Sequence, residues 1–311
     1  MINQHTSPPV PAIEVRELKK SYRELNALDG VSLSLEANRI YGLLGRNGAG
    51  KTTLMSILTG QGYPSSGTAR IFGKNPFEHD ETLSRICFIR ESQRYPDDFS
   101  PANAFKAASL FFRNWDKDLA SRLAEEFNLP LKRRIKKLSR GQLSAVGVII
   151  GMASRAEITF FDEPYLGLDA VARQIFYDRL IEDVGHYPRT IVLSSHLIDE
   201  IANLLEHVVV IDKGRIMLDE DAETLRGSAV AVTGSAAKVE KFIDGYEVLH
   251  RDSLGSLASV TIKARLSATQ REMAAELGLE LSAVPLQQLV VRTTLAHSAQ
   301  DPSLDSLEAL K

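Results

Sequence analysis

The chain has 311 residues, of which 44% are hydrophobic and 25% charged, and its formal net charge is −3. This length accommodates one large domain and a smaller one, and the slightly acidic balance excludes a global positive field that would hold nucleic acid. The single cysteine, Cys87, excludes an intramolecular disulfide and a cysteine-based zinc cage, and it is typical of a reducing compartment.

The N-terminal segment "MINQHTSPPVP" lacks the apolar core of a signal peptide, so residues 1–12 are predicted to form a flexible lead. Apolar runs such as "VGVIIGMA" are far shorter than the about 20 residues of a membrane-spanning helix. Any membrane role is therefore expected to come through a partner.

Strands and helices alternate along the predicted large domain, residues 13–226. The first fifty residues are mainly strands, and helical spacing begins near Gly50. A helical region covers about 101–155 and is interrupted at Pro130. The apolar strands "ITFF", "TIVLSS" and "HVVVID" follow, separated by helices. This order predicts a sheet with parallel strands that is covered by helices.

The character of the sequence changes near Gly227. From there the pattern predicts strand, helix, strand, strand, helix and strand, which is the order of a ferredoxin-like unit. A closing helix over "PLQQLVVRTT" completes a small α+β domain at 227–296, and residues 297–311 are predicted to form a loose tail.

A phosphate-binding loop is indicated by "GRNGAGKT", which fits G-x-x-x-x-G-K-[ST] and lies between an apolar strand and a helix. Glycines let backbone N–H groups face phosphate oxygens, and the helix N-terminus adds partial positive charge. Lys51 is predicted to reach the β- and γ-phosphates, and Thr52 to ligate Mg²⁺. The strand–loop–helix context argues against a glycine-rich turn that binds nothing. The predicted nucleotide-binding residues of this segment are Gly45, Arg46, Asn47, Gly48, Ala49, Gly50, Lys51, Thr52 and Thr53.

Two acids end the apolar strand of "ITFFDEP", where parallel sheets carry metal and water chemistry. Asp162 is predicted to be a Mg²⁺ partner and Glu163 the base that polarises the attacking water. The alternative is a solvated acidic turn. His196 follows "TIVLSS" and is predicted to hydrogen-bond the γ-phosphate and orient the water, although a lone histidine is more often a structural hydrogen-bonder.

Several motifs in a fixed order carry a family resemblance: Tyr22, "GRNGAGKT", "ICFIRESQ", "LSRGQ", "FFDEP", "LGLD" and "SSHLIDE". With them, residues 13–226 resemble the ATP-binding subunit of an ABC transporter, most like those of bacterial ABC-2-type exporters. The resemblance implies an α/β P-loop NTPase fold, with a mixed-sheet core, a β-subdomain and a helical subdomain at about 95–155. The small α+β domain follows this cassette.

The resemblance also implies an ATPase that uses ATP and Mg²⁺ and whose cassettes pack head to tail. The signature loop "LSRGQ", with Ser139, Gly141 and Gln142, would close over the ATP of the partner cassette. A serine N-cap and the helix dipole both suit a phosphate there. Asp169 would lie at the same dimer interface. Tyr22 would stack on adenine, unless it is a core or edge aromatic.

Two positions depart from the family pattern. Arg140 replaces a glycine of the signature, and "ICFIRE" puts Glu91 where the family has a glutamine. Either Glu91 ligates Mg²⁺, or the loop shifts so that Gln93 supplies the amide and Glu91 pairs with Arg90 or Arg94. Strand register favours Glu91 as the metal ligand.

The resemblance implies a membrane permease and a second cassette as partners, either a second copy or a related subunit, and no nucleic acid. The protein would then be cytoplasmic and peripheral on the inner face of the cell membrane. The alternative is a soluble ABC ATPase of translation or DNA maintenance. Such proteins usually carry two cassettes or long coiled-coil insertions, which this sequence lacks. A regulatory module without transport is a third hypothesis.

Overall fold

The computed structural model describes residues 10–23, 25–91 and 93–300, which form two compact units. The first unit comprises the described residues up to His196 together with Ile211–Ile216, and the second comprises Leu197–Val210 and the described residues from Met217 onward. Most of the predicted N-terminal lead and residues 301–311 of the predicted tail lie outside the described residues. The domain boundary at 226/227 stays a prediction.

The elements up to Ser195 are β1 (Ile13–Tyr22), β2 (Leu25–Leu35), β3 (Ile40–Leu44), α1 (Lys51–Leu58), β4 (Ser66–Ile71), α2 (Asp80–Leu83), β5 (Ile86–Arg90), α3 (Pro101–Phe111), α4 (Lys117–Glu126), a 3₁₀ helix (Ile135–Lys137), α5 (Arg140–Ala153), β6 (Ile158–Asp162), α6 (Ala170–His186) and β7 (Thr190–Ser195). After them come α7 (Ile198–Ile201), β8 (His207–Asp212), β9 (Arg215–Asp221), α8 (Ala222–Arg226), β10 (Val230–Ser235), α9 (Ala236–Ile243), β11 (Glu247–Leu254), β12 (Leu257–Lys263), α10 (Ala268–Glu276), β13 (Glu280–Ala283) and α11 (Leu286–Gln300).

The strands that lead into the predicted site residues belong to a sheet with the order β5-β6-β7-β3-β8-β9. Within it, β5, β6, β7 and β3 pair in parallel. The register aligns Arg90 with Asp162, Asp162 with Ser194, and Leu44 with Ser195. Parallel pairing brings the carboxyl ends of these four strands to one edge, so the residues that follow them converge. The predicted α/β fold with parallel strands is confirmed. A separate antiparallel sheet has the order β2-β1-β4.

The apolar run at 143–153 is a buried helix, α5, that packs on the central sheet. Its residues from Ala145 to Ala153 are all buried, as is every residue of β6. A Cβ at Gly151 would lie 2.4 Å from the ring of Phe161, so the close approach of helix and strand requires glycine there. Among the described residues, no helix is both long and apolar enough to cross a membrane.

Two local predictions differ from the structure, and one strand was not predicted. The helical region has an additional break at 112–116, where the side chain of Asp116 accepts from the N–H of Leu119 and caps α4. The predicted helix between the strands "TIVLSS" and "HVVVID" is only one turn, α7, whose preceding residue supplies no side-chain cap. Strand β9 was not predicted. It follows a tight turn at Lys213 and Gly214, which both have positive φ.

In the second unit, β10 to β13 form an antiparallel sheet with the order β11-β12-β10-β13, and α9 and α10 lie between its strands along the chain. The predicted order of elements is confirmed. Their core contains Val232, Phe242 and Ile262, which are all buried. Helix α11 continues to Gln300, into the segment predicted as a loose tail.

Candidate active site

The phosphate-binding loop joins β3 to α1 and needs its glycines for different reasons. Gly45 and Gly50 have φ of +154° and +113°, and a Cβ there would lie 2.2 Å from the carbonyl oxygen of Ile211 and 2.5 Å from that of Ala27. Gly48 also has a positive φ, but its Cβ would meet nothing within 4 Å. The loop is therefore packed against protein at both ends and open in its middle, as a cradle for phosphate requires.

Lys51 is the first residue of α1 and is only 6% exposed. Its Nζ donates to the carbonyl oxygens of Gly45, at 2.6 Å, and Arg46, at 3.2 Å. The same Nζ lies 3.5 Å from Oε1 of Glu163. A buried ammonium group thus lies across the loop, beside the N-terminus of α1. The charge of the ammonium group and the partial charge of the helix N-terminus both favour an anion there.

The carboxylate of Asp162 is held at both oxygens. Thr52 Oγ1 donates to Oδ2 at 2.8 Å, and Ser194 Oγ donates to Oδ1 at 2.6 Å. Ser194 also accepts from the backbone N–H of Glu163 at 3.0 Å. A hydroxyl and a carboxylate beside a phosphate cradle are the hard oxygen donors that suit Mg²⁺. Ser194 was not among the predicted site residues, although it lies in β7, the strand that precedes His196.

Glu163 lies beyond the end of β6, is 7% exposed and has a φ of +51°, a region that residues other than glycine rarely adopt. Such backbone strain is typical of functional sites. Its Oε2 lies 2.9 Å from Nδ1 of His196 and accepts from the Tyr165 hydroxyl at 2.5 Å. The structure therefore brings together Lys51, Asp162, Glu163 and His196, as the sequence predicts.

The signature residues form the N-terminus of α5. Ser139 Oγ accepts from the N–H of Gln142, and Gln142 Oε1 accepts from the N–H of Ser139, both at 3.2 Å. The predicted serine N-cap is confirmed. A Cβ at Gly141 would lie 2.6 Å from the carbonyl oxygen of Gly167, so this helix start packs tightly on the "LGLD" loop. Asp169 caps α6 by accepting from the N–H of Ala172 at 2.8 Å.

The two departures from the family pattern contact each other. Arg140 Nη2 donates to Glu91 Oε1 at 2.8 Å, and both side chains are exposed. Gln93 folds back, with its Oε1 3.5 Å from the N–H of Arg90. The partner of Glu91 is thus Arg140 rather than Arg90 or Arg94, and a role of Glu91 in metal binding requires this ion pair to open.

Tyr22 ends β1 with its side chain exposed, and the Nζ of Lys20 lies 4.9 Å from the centroid of its ring. The ring is an exposed edge aromatic rather than a core residue. It is accessible to a planar ligand, and its role in stacking on adenine stays a prediction.

The comparisons with known proteins agree with this geometry. The protein family described as "ABC transporter" matches residues 28–166. The daunorubicin/doxorubicin resistance ATP-binding protein DrrA of Streptomyces peucetius is 30% identical over 228 residues, covering 71% of this chain and 68% of DrrA. The chain belongs to the ABC transporter ATP-binding protein family. It is an ATP-binding and ATP-hydrolysing protein, an ABC ATPase.

Other relatives of this ABC ATPase include the ABC transporter ATP-binding protein YtrB of Bacillus subtilis (strain 168), 24% identical over 71% of this chain and 75% of YtrB. The Nod factor export ATP-binding protein I of Cupriavidus metallidurans is 29% identical over 80% of this chain and 82% of its own.

Solved structures show the same fold. An ATP-binding subunit of an ABC transporter has a TM-score of 0.63 and 22% identity, covering 69% of this chain and 92% of its own. A bacterial ABC transporter cassette in dimeric form has a TM-score of 0.60 and 20% identity, and the match covers 68% of this chain and 98% of that cassette.

Proposed function

We propose that this ABC ATPase energises a separate membrane permease of the ABC-2 exporter type through ATP-dependent head-to-tail dimerisation. The observation that supports export is the set of related proteins, which includes a drug-resistance protein, a Nod factor export protein and a lantibiotic transport protein. The lantibiotic transport protein is 28% identical over 67% of this chain. The partners are then a permease and a second cassette, either a second copy or a related subunit, with no nucleic acid. The protein would work at the inner face of the cell membrane.

In the proposed mechanism, the loop from Gly45 to Thr53 binds the phosphates of ATP through its backbone N–H groups. Lys51, which now donates to loop carbonyls, turns its ammonium group to the β- and γ-phosphates. Thr52 and Asp162 would hold Mg²⁺, which when bound supplies positive charge to offset that of the phosphates. The contact of 2.8 Å between Thr52 and Asp162 supports a shared ion, because their oxygens already meet.

Glu163 is the proposed base. It removes a proton from the attacking water, while His196 hydrogen-bonds the γ-phosphate and orients that water. The buried carboxylate of Glu163 and its contacts to Lys51 and His196 support these roles, because a carboxylate beside the phosphate-binding loop is within reach of a water at the γ-phosphate.

The signature residues Ser139, Gly141 and Gln142 would close over the partner's ATP, with Asp169 at the same interface. The hydrogen bonds at the start of α5 support this, because the side chains of Ser139 and Gln142 each accept from the backbone N–H of the other residue and so cap the helix. The partial positive charge of this helix N-terminus favours an anion presented from outside. Tyr22 would stack on adenine. Residues 13–226 are the proposed cassette, and 227–296 a separate accessory domain.

The export function is tested by capturing the full-length tagged protein from membranes dissolved in mild detergent. We expect a multi-span membrane protein to co-purify and to raise the ATPase rate, because the relatives named above serve transport. Recovery with ribosomes or DNA, and no membrane protein, would instead support the soluble role in translation or DNA maintenance.

The Mg²⁺ dependence of hydrolysis tests Glu91. If Glu91 ligates the ion, Glu91→Gln raises the Mg²⁺ concentration for half-maximal activity, and Gln93→Ala has little effect. Arg140→Gly frees Glu91 from its ion pair and is expected to lower that concentration by up to about fivefold, the scale of an exposed salt bridge. An effect of Gln93→Ala alone would assign the role to Gln93.

A further inference from the structure

A tyrosine that the sequence analysis did not single out lies against the carboxylate of Glu163. Tyr165 is 2% exposed and sits on the turn between β6 and α6. Its hydroxyl oxygen is 2.5 Å from Glu163 Oε2 and 2.6 Å from Ser195 Oγ. Burial, and then the hydrogen bond to Glu163, raise the pKa of this hydroxyl, so it stays protonated. It therefore donates to the carboxylate and accepts from Ser195.

The same hydrogen bonds connect Tyr165 to the phosphate-binding loop. Ser195 ends β7, and its carbonyl oxygen accepts from the N–H of Gly45, the first residue of that loop, at 3.3 Å. Its side chain contacts the Tyr165 hydroxyl. Tyr165 thus connects the carboxylate of Glu163 to Ser195, whose backbone carbonyl also binds Gly45 at the start of the phosphate-binding loop.

The two oxygens of the Glu163 carboxylate have different surroundings. Oε2 contacts both Tyr165 and His196. Oε1 is buried and accepts no hydrogen bond from any residue that the structure describes, although Lys51 Nζ lies 3.5 Å away. Rotation of the carboxylate would break the contacts of Oε2. We propose that Tyr165 is a positioning residue, whose hydroxyl holds Oε2 so that Oε1 faces the cradle as the proton acceptor.

His196 contacts Oε2 as well, but its ring cannot hold both Oε2 and the γ-phosphate equally well. Its side chain is 30% exposed, and the proposed function assigns it to the γ-phosphate. If His196 turns toward phosphate, Tyr165 is the donor that keeps Oε2 in place. The inference therefore rests on the proposed role of Glu163 as base, and it explains how the base stays oriented when nucleotide is bound.

Steady-state ATP hydrolysis by the full-length chain tests the inference. Tyr165→Phe removes only the hydroxyl, and we expect kcat to fall about tenfold or more, on the scale of a lost hydrogen bond to a charged group. The KM and the Kd for ATP are expected to stay within about twofold, because the cradle keeps its contacts. The matched control is Tyr41→Phe, since Tyr41 is also 2% exposed but donates to the carbonyl oxygen of Glu36. It is expected to keep the parental kcat.

A double-mutant cycle separates this role from simple packing. In the Glu163→Gln background, adding Tyr165→Phe is expected to lower the residual rate no further. Incorporating 3-fluorotyrosine at position 165 keeps the hydroxyl and is expected to keep the parental kcat. Equal losses from Tyr165→Phe in both backgrounds, or an unchanged kcat in the single variant, would overturn the inference. If Glu163→Gln itself kept full activity, the proposed base would be wrong instead.

Discussion

Replacing Glu163 with glutamine is expected to lower ATP hydrolysis at least about a hundredfold, the lower end of the contribution of a general base. Glutamine keeps the size of the side chain but cannot take a proton from water. The cradle, with Lys51 and Thr52, and the signature loop are unchanged, so in the proposed mechanism ATP still binds and still joins two subunits. We therefore expect Glu163→Gln to accumulate as an ATP-bound dimer in size-exclusion chromatography with Mg²⁺ and ATP.

The matched control for this variant is Glu157→Gln, because Glu157 precedes the same strand, β6, at its opposite end. Its carboxylate pairs with Arg85 at 2.6 and 2.7 Å and is exposed, so its loss should leave hydrolysis unchanged and the protein monomeric after turnover. A Glu163→Gln variant that binds ATP yet elutes strictly as a monomer would contradict head-to-tail dimerisation. One that hydrolyses ATP at the parental rate would exclude Glu163 as the base.

The parts of the site that the sequence predicts well are those fixed by local chemistry and strand topology. Gly45 and Gly50 can be assigned from the sequence because only glycine tolerates the positive φ and the close backbone approach. Asp162 and His196 can be placed together because each follows an apolar strand of a predicted parallel sheet. Neither inference requires knowledge of distant contacts.

The contacts that the sequence does not reveal depend on packing between segments far apart in the chain. Tyr165 reaches Ser195 across 30 positions, and Arg140 reaches Glu91 across 49. A tyrosine after "DEP" gives no periodic or compositional signal. Arg140 and Glu91 were each visible as departures from the family pattern, but only the fold shows that the two departures form one ion pair.

Strand β9 shows a different reason for a missed element. The turn before it places Lys213 and Gly214 at φ of +46° and +77°, the geometry of a two-residue hairpin. The usual sequence signals for such a turn are Asn-Gly or Asp-Gly, and Lys-Gly is a weaker one. The segment "RIMLDED" does not alternate apolar and polar residues, since "IML" is followed by three acids, and Leu218 is the one buried residue of the strand.

Lys51→Ala is expected to weaken ATP binding at least about tenfold, since the variant loses the proposed charge-assisted contact to phosphate. Hydrolysis should fall by about a hundredfold or more, because the proposed role of the same ammonium group is to stabilise charge on the transferring phosphate. The structure adds a second cause. Without Lys51, the buried Oε1 of Glu163 loses the cation that lies 3.5 Å away. Binding is measured with a non-hydrolysable ATP analogue and hydrolysis by phosphate release.

The control for this last variant is Lys117→Ala, because Lys117 is also the first residue of a helix, α4, but is exposed. It should bind and hydrolyse ATP like the parent. Lys51→Arg keeps the positive charge, yet its planar guanidinium does not match the buried position of a compact ammonium group, so we expect little recovery of hydrolysis. Lys51 is the only buried cation among the residues that the structure describes in the loop at 45–52. If Lys51→Ala bound and hydrolysed ATP like the parent, this loop would not be the phosphate cradle.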